Sequence, residues 1–222
     1  MIVRVGMAPR EPSLDFESFQ AHWANEHGAL AGTLAGLRGY VQHHAVLRDG
    51  LPLLPYPGFD ACSELTFDSL DAMDEAFESD HYRRNVTADE KNLVDKTRFS
   101  MMLTERRVLS AEDTGDAGVK LLTFLTADRN VGATALAETL SGPYRDAVRD
   151  AGPLRHEQLL VVPGSHDGRI APMADAVDLL WFPHPEAALT FLASETAFAA
   201  GYVLAGRASG VQRLLARENR IV

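Results

Sequence analysis

Residues 65–77, LTFDSLDAMDEAF, and residues 180–192, LWFPHPEAALTFL, decide the fold, because the second stretch repeats the pattern of the first about 115 residues later. Each runs from an apolar strand end through a polar turn into an amphipathic helix. A second pair, TERRVL at 104–109 and RENRIV at 217–222, recurs at nearly the same offset. A period of this length is one small domain, so the chain reads as a tandem duplication. Outward from the first stretch, FDACSELTF (59–67) is a strand, DSLDAMDEAFES (68–79) a helix capped by Asp68 or Ser69, and TRFSMMLTERRVL (97–109) a strand. Upstream, MIVRVGM is a strand. SLDFESFQAHWANEHGALAGTL (13–34) then places Phe16, Phe19, Trp23, Leu30 and Leu34 at helical spacing, with Ser13 as cap and Gly36 past the end, before the strand LRGYVQHHAVLRD (37–49).

The order β-α-β-β-α-β is the ferredoxin-like motif. After an acidic, Gly-containing linker at 110–118, the segments VKLLTFLTA, ATALAETLSGPYRDAV, RHEQLLVV, DAVDLLWF, PEAALTFLASETAF and VQRLLARENRIV repeat it. The expectation is an α+β protein of two ferredoxin-like domains, 1–109 and 119–222, whose sheets cover each other as an α+β barrel. The first carries the site and the second is a degenerate repeat.

With 222 residues, 46% hydrophobic and 23% charged, the chain can bury a real core. Its formal charge of -10, with scattered Lys and Arg, argues against nucleic acid or an anionic membrane as partner. No apolar run reaches the roughly 20 residues that span a bilayer, and no secretion signal is read at the N-terminus. The single cysteine, Cys62, excludes an internal disulfide and a cysteine zinc site. A cytoplasmic protein acting on a small molecule is expected, with a homodimer possible on top of the intrachain barrel.

The stretch HWANEHGALAGTLAGLRGYVQHH (22–44) holds four of the 8 histidines. Phe19, Trp23 and His27 are successive i,i+4 neighbours on one inward stripe, whereas His22, five residues from His27, is expected on another side near Glu26, solvated or salt-bridged. In the strand, Tyr40, Gln42 and His44 share one face, and Val41, His43 and Ala45 the other. The polar face is either a solvated sheet surface or a pocket wall. Glu64 and Asp60 share a face of the next strand, where a carboxylate opposite an imidazole would fix its tautomer; register decides whether that face is that of His44. A metal is not expected, since no histidine pair has i,i+4 spacing and His43 and His44 point to opposite faces. No GxxxxGK, GxGxxG or GxSxG pattern occurs, and Ser165 and His166 in PGSHDG read as turn formers.

The stretches FESFQAHWANEHGALAGTLAGLRGYVQHHAV and FDACSELTFDSLDAMDEAFES resemble the EthD family of the dimeric α+β barrel superfamily, over residues 1 to about 108. Trp23, His27, Tyr40 and His44 occupy the motif positions, with His43 where many relatives have Asn. The resemblance implies cofactor-free chemistry on a small molecule between helices and sheet. That means isomerisation, dehydration or another lyase reaction on an aromatic, polyketide or lactone-type substrate, of a catabolic kind, with oxygenation or haem binding in cousins. His27, Tyr40 and His44 are the expected catalytic residues, and Trp23, Gln42 and Glu64 the expected substrate-binding ones, with no cofactor and no metal. The alternatives are a binding module without turnover and a haem-binding or monooxygenase-type cousin. In the second half, Glu138, Thr139 and Pro143 fall near the places of His22, Trp23 and His27, and His156, Gln158 and Leu160 near those of Tyr40, Gln42 and His44.

Overall fold

The computed structural model describes residues 1–111 and 118–222, so the linker expected at 110–118 lies, over 112–117, outside the described residues. Two compact units emerge. The first comprises Met1–Glu105, Val162–Pro172 and Glu218–Val222, and the second Arg106–Val161 and Met173–Arg217.

The first unit opens with β1 (Ile2–Ala8), every residue of which is buried, as befits a strand covered on both faces. Helix α1 (Phe16–His22) passes through a π-helical turn (Trp23–His27) into α2 (Gly28–Ala31). Then come β2 (Leu37–Ala45), a short hairpin of β3 (Leu47–Arg48) and β4 (Leu51–Pro52), and β5 (Ala61–Phe67). Helix α3 (Leu70–Glu78), a second π-turn (Tyr82–Val86), α4 (Thr87–Leu93) and β6 (Ser100–Ala111) complete it. The sheet order is β2-β5-β1-β6, antiparallel throughout.

Register sorts its faces. Arg4 pairs with Leu65, Gly6 with Ser63, and on the other edge Tyr40 with Leu65 and Gln42 with Ser63, so these share the helix-covered face. Their core neighbours there are Phe19, Trp23, Leu34, Met73, Val86 and Leu93. Val5, Val41 and Glu64 stand on the opposite face.

Two local expectations need correction. The first helix is capped by Asp15, not Ser13: its carboxylate accepts from the Ser18 N–H at 2.7 Å, satisfying a donor the first turn leaves open. The stretch between the second helix and the last strand, residues 80–96, to which the sequence reading assigns no element, is helical over Tyr82–Leu93, with Val86 and Leu93 buried one heptad apart. Ser69 caps α3 through Ala72 N–H at 3.1 Å, one of the two caps expected.

The C-terminus finishes this unit. Tyr40 N–H donates to Val222 O and Ile221 N–H to Tyr40 O, at 3.1 and 2.9 Å. Ile221 then lies so close to α2 that a Cβ at Gly28 or Gly32 would stand 2.9 or 2.8 Å from it, which is why small residues occur there. His166 is structural: its Nε2 accepts from Leu103 N–H at 3.0 Å while Nδ1–H donates to Ile170 O at 2.7 Å.

The second unit repeats the order with β7 (Val119–Ala127), α5 (Gly132–Thr139), a π-turn (Leu140–Tyr144), α6 (Arg145–Arg149), β8 (Arg155–Val161), β9 (Ala176–Phe182), α7 (Pro185–Leu192), α8 (Glu195–Leu204) and β10 (Ala208–Arg220). Its sheet runs β10-β7-β9-β8. Both units are thus β-α-β-β-α-β, the α+β class expected. The π-turn also recurs, and it corrects the alignment of the repeats by one residue: Leu140 and Tyr144 stand where Trp23 and His27 do. Among the described residues no single helix is long and apolar enough to cross a membrane.

Candidate functional site

The helix-covered face of the first unit is not fully packed. It holds a pocket of about 560 Å³, mouth included, lined among others by Arg4, Trp23, His27, Tyr40, Tyr82 and Glu90.

The π-turn sets this wall. Trp23 O accepts from Gly28 N–H, five residues on, and also from Gln42 Nε2 at 2.7 Å, so the strand side chain holds the widened turn from below. A wider turn changes which residues meet. His22 and His27, placed on different sides by α-helical geometry, converge on one carboxylate from α4: His22 Nε2 lies 2.7 Å from Asp89 Oδ1 and His27 Nδ1 2.9 Å from Asp89 Oδ2. Of the two roles expected for His22 near Glu26, the salt-bridged one is what the structure shows, with Asp89 as the near partner and Glu26 a second one at 3.7 Å.

The tautomer of His27 follows from its partner. An ionised carboxylate only accepts, so His27 Nδ1 carries the proton and Nε2 keeps its lone pair. The ring lines the pocket, and among the described residues Nε2 has no partner. This is a base held in one orientation by a partly buried carboxylate.

Tyr40 also lines the pocket. Its hydroxyl accepts from Gln42 Nε2 at 2.9 Å, and burial pushes its pKa up to about 12, so at neutral pH it is a phenol with a proton to donate. Gln42 itself lies behind the wall with its valences filled: Nε2 donates to Trp23 O and Tyr40, and Oε1 accepts from His44 Nε2 at 2.9 Å and Asn219 Nδ2 at 3.0 Å. His44 stacks on the Trp23 ring, centroids 4.7 Å apart, and does not line the pocket. Glu64 is the clearest correction. Register puts it on the opposite face of the sheet, where its carboxylate meets His43 Nε2 at 2.7 Å, so it does not reach a ligand bound beside His27.

Of the six expected residues, the structure thus brings Trp23, His27 and Tyr40 to one cavity, sets Gln42 and His44 behind them, and sends Glu64 elsewhere. Three pocket residues, Arg4, Tyr82 and Glu90, and the Asp89 that holds His27 went unread. Asp89, Glu90 and Tyr82 lie on the unrecognised helix, whose signal was the spacing of Tyr82, Val86 and Leu93. Arg4 was signalled by being a lone charge inside the apolar run IVRVGMA. Its guanidinium lies over Phe77 at 4.1 Å and faces Phe99 at 5.2 Å, and burial lowers its pKa while Tyr82, Glu90 and Tyr40 oppose the shift. Glu90 is held by the Lys96 ammonium and by Tyr82 Oη at 3.3 Å. Among the described residues no group of three or more His, Cys, Asp and Glu is arranged for a metal.

Burial, and secondarily the neighbouring His43, pull the His44 pKa down from 6.5 to about 4. Between those pH values the unfolded chain takes up a proton that the folded chain refuses, so stability falls as pH drops through this window. The full shift corresponds to about 3 kcal/mol, less for a ring that keeps some water contact. Urea midpoints at neutral pH and at about pH 4.5 should therefore drop further for the wild type than for His44→Gln; parallel drops would show that His44 carries none of the dependence.

Residues 11–97 match the EthD domain family model. No curated protein sequence matches. Solved structures resemble nearly the whole chain: an anthrone oxidase-like protein at 12% identity and a TM-score of 0.68, covering 98% of this chain and 92% of that one, and a chlorite dismutase from Candidatus Nitrospira defluvii in complex with imidazole at 10% identity and 0.53, covering 99% and 92%. At such identities the likeness shows the fold, which is that of the dimeric α+β barrels, as the duplication led one to expect.

Proposed function

We propose that the pocket of the first unit is the active site of a cofactor-independent enzyme that removes a proton from an aromatic or enolisable small molecule. The observation that carries this is the Asp89–His27 bond, which leaves His27 Nε2 as a base on the wall of the pocket. A carrier needs a closed apolar space and has no use for an oriented base. Tyr40, protonated at neutral pH, donates to the oxygen on which negative charge gathers. Trp23 and Phe77 give the ring its walls.

The resulting carbanion or enolate has three fates. Reprotonation elsewhere is isomerisation, and loss of a leaving group is lyase chemistry; both suit the EthD resemblance. The third is reaction with O₂, in which an activated CH₂ and O₂ give C=O and water, one oxygen atom going to each product. The likeness to an anthrone oxidase-like protein supports this oxygenating branch, and we place it ahead of the other two. Haem fits poorly here. Beside His27 the lining carries the Arg4 guanidinium and the Glu90–Lys96 pair, a charged setting for the apolar faces of a porphyrin.

Anthrone is the direct probe. In air-saturated buffer the protein should raise O₂ uptake and anthraquinone formation about a hundredfold or more over buffer, and in anaerobic D₂O it should speed exchange of the CH₂ protons. Exchange without O₂ uptake would leave the isomerase and lyase branches. A panel of anthrones, phenolic ketones and lactones that bind but show neither exchange nor turnover would replace the enzyme with a carrier.

A further inference from the structure

Arg4 is a cation in an unusual position. It projects from the strand flanked by β5 and β6, is 9% exposed, and lines the pocket. Two rings hold its planar head, Phe77 at 4.1 Å and Phe99 at 5.2 Å. The next residue on the same face is Gly6, where a Cβ would stand 3.0 Å from Arg4 Nη1, so the strand is cut away to let the guanidinium lie there. Among the described residues no carboxylate pairs with it and no acceptor takes its hydrogen bonds. The nearby carboxylate, Glu90, is already engaged by Lys96 and Tyr82.

A largely buried guanidinium whose donors find no acceptor among the described residues and open onto the pocket is placed to meet an arriving ligand, since aromatic faces recover only part of the cost of its burial. The guanidinium fork matches a planar group bearing two oxygens, and it matches one ionised oxygen less completely. The whole chain carries a formal charge of -10, so attraction of an anion has to come from the pocket itself. We propose that this pocket selects a planar aromatic oxyanion, a ring carboxylate or a ring phenolate, and that Arg4 is the residue that selects it. This deepens the reading of the pocket as a ligand site and does not depend on whether His27 turns the ligand over.

Calorimetric titration of the full-length protein tests it with two matched pairs, benzoate against benzamide and p-nitrophenolate against p-nitroaniline. At least one anion should bind about tenfold or more tighter than its neutral partner. A preference confined to benzoate names the substrate as an acid, and one confined to the phenolate names it as an ionised phenol or enol. Arg4→Gln should erase the preference. Arg4→Lys should keep it for a phenolate and lose most of it for a carboxylate, because the ammonium lacks the fork. Gly6→Ala, which displaces the guanidinium and leaves the charge, should weaken it with little effect on the neutral partner. Thermal melts establish that each variant is folded; if Arg4→Gln is not, Arg4→Lys and Gly6→Ala decide. His27→Gln should keep the full preference, so a protein that prefers anions and catalyses nothing would sink the enzyme reading alone. Equal affinity within both pairs, no saturable binding by either anion, or a preference that survives loss of the guanidinium overturns the proposal.

Discussion

His27→Gln is expected to leave ligand affinity within about threefold of the wild type while lowering turnover by about 10² to 10⁴. The substitution keeps a polar side chain of similar reach, and its amide can still bond Asp89, so the pocket wall should survive. What it removes is the lone pair on Nε2. Asp89→Asn should cost less, because an amide oxygen still accepts from Nδ1–H, yet it no longer stabilises the imidazolium that forms when the proton is taken. His22→Gln should be nearly silent, since His22 shares the carboxylate through the other oxygen, at 2.7 Å, and does not line the pocket. The ranking matters as much as the size: His27 first, Asp89 second, His22 last. Wild-type turnover by His27→Gln on a substrate accepted by the wild type would remove the acid/base assignment. Equal losses at His22 and His27 would instead mean that the two histidines act through packing around Asp89.

The fold was legible because a duplication writes the same alternation of periods twice, and LTFDSLDAMDEAF with LWFPHPEAALTFL carries that signal without any tertiary information. The inward stripe of Phe19, Trp23 and His27 was legible for the same reason: four-residue spacing survives both α- and π-helical turns well enough to keep a side chain on the buried face. The meeting of His22 with His27 was not, since nothing local in WANEH specifies a π-turn; the bond from Gln42 to the Trp23 carbonyl, made across 19 residues of sequence, helps hold it. The face of Glu64 was left open, and its expected part in substrate binding is not what the register supports, because strand pairing is a long-range choice and a one-residue change of register reverses every side chain. His44 shows a subtler limit. Its face was read correctly, but which residues on a face reach a cavity and which stand behind them depends on packing above the sheet. Asp89 was hidden by a helix with too few apolar residues to stand out, and Arg4 by its strand neighbours, although a charge in an otherwise buried strand is itself a signal of a paired or functional group.

The dependence of the site on one buried amide leads to the second large effect. Gln42 is fully buried, and its four bonds join the π-turn, the Tyr40 phenol, His44 and the C-terminal Asn219. Leucine has nearly the same volume, so Gln42→Leu leaves little cavity and isolates the loss of hydrogen bonding. Tyr40 can turn its own proton elsewhere and His44 can reach water, but the Asn219 amide and the second valence of the Trp23 carbonyl lose their partner within the protein. Unmet polar groups of this kind cost about 3 kcal/mol together, and for a chain of this size that lowers the melting temperature by about 10 °C. Turnover should fall as well, because a turn released from Gln42 relaxes toward α-helical geometry and draws His27 away from Asp89. The second unit supplies the control. Gln158 makes the matching bond to Leu140 O at 2.9 Å beside its own π-turn, with Asp178 Oδ1 at 3.2 Å, and it does not line the pocket of the first unit. Gln158 Oε1 is buried without a partner among the described residues, so Gln158→Leu should lower the melting temperature by less than Gln42→Leu and leave the turnover of the folded protein unchanged. If Gln42→Leu melts within a degree or two of the wild type, the amide is not what holds the turn; if it melts low but turns over normally, the π-turn does not position His27, and the Asp89 contact alone fixes the base.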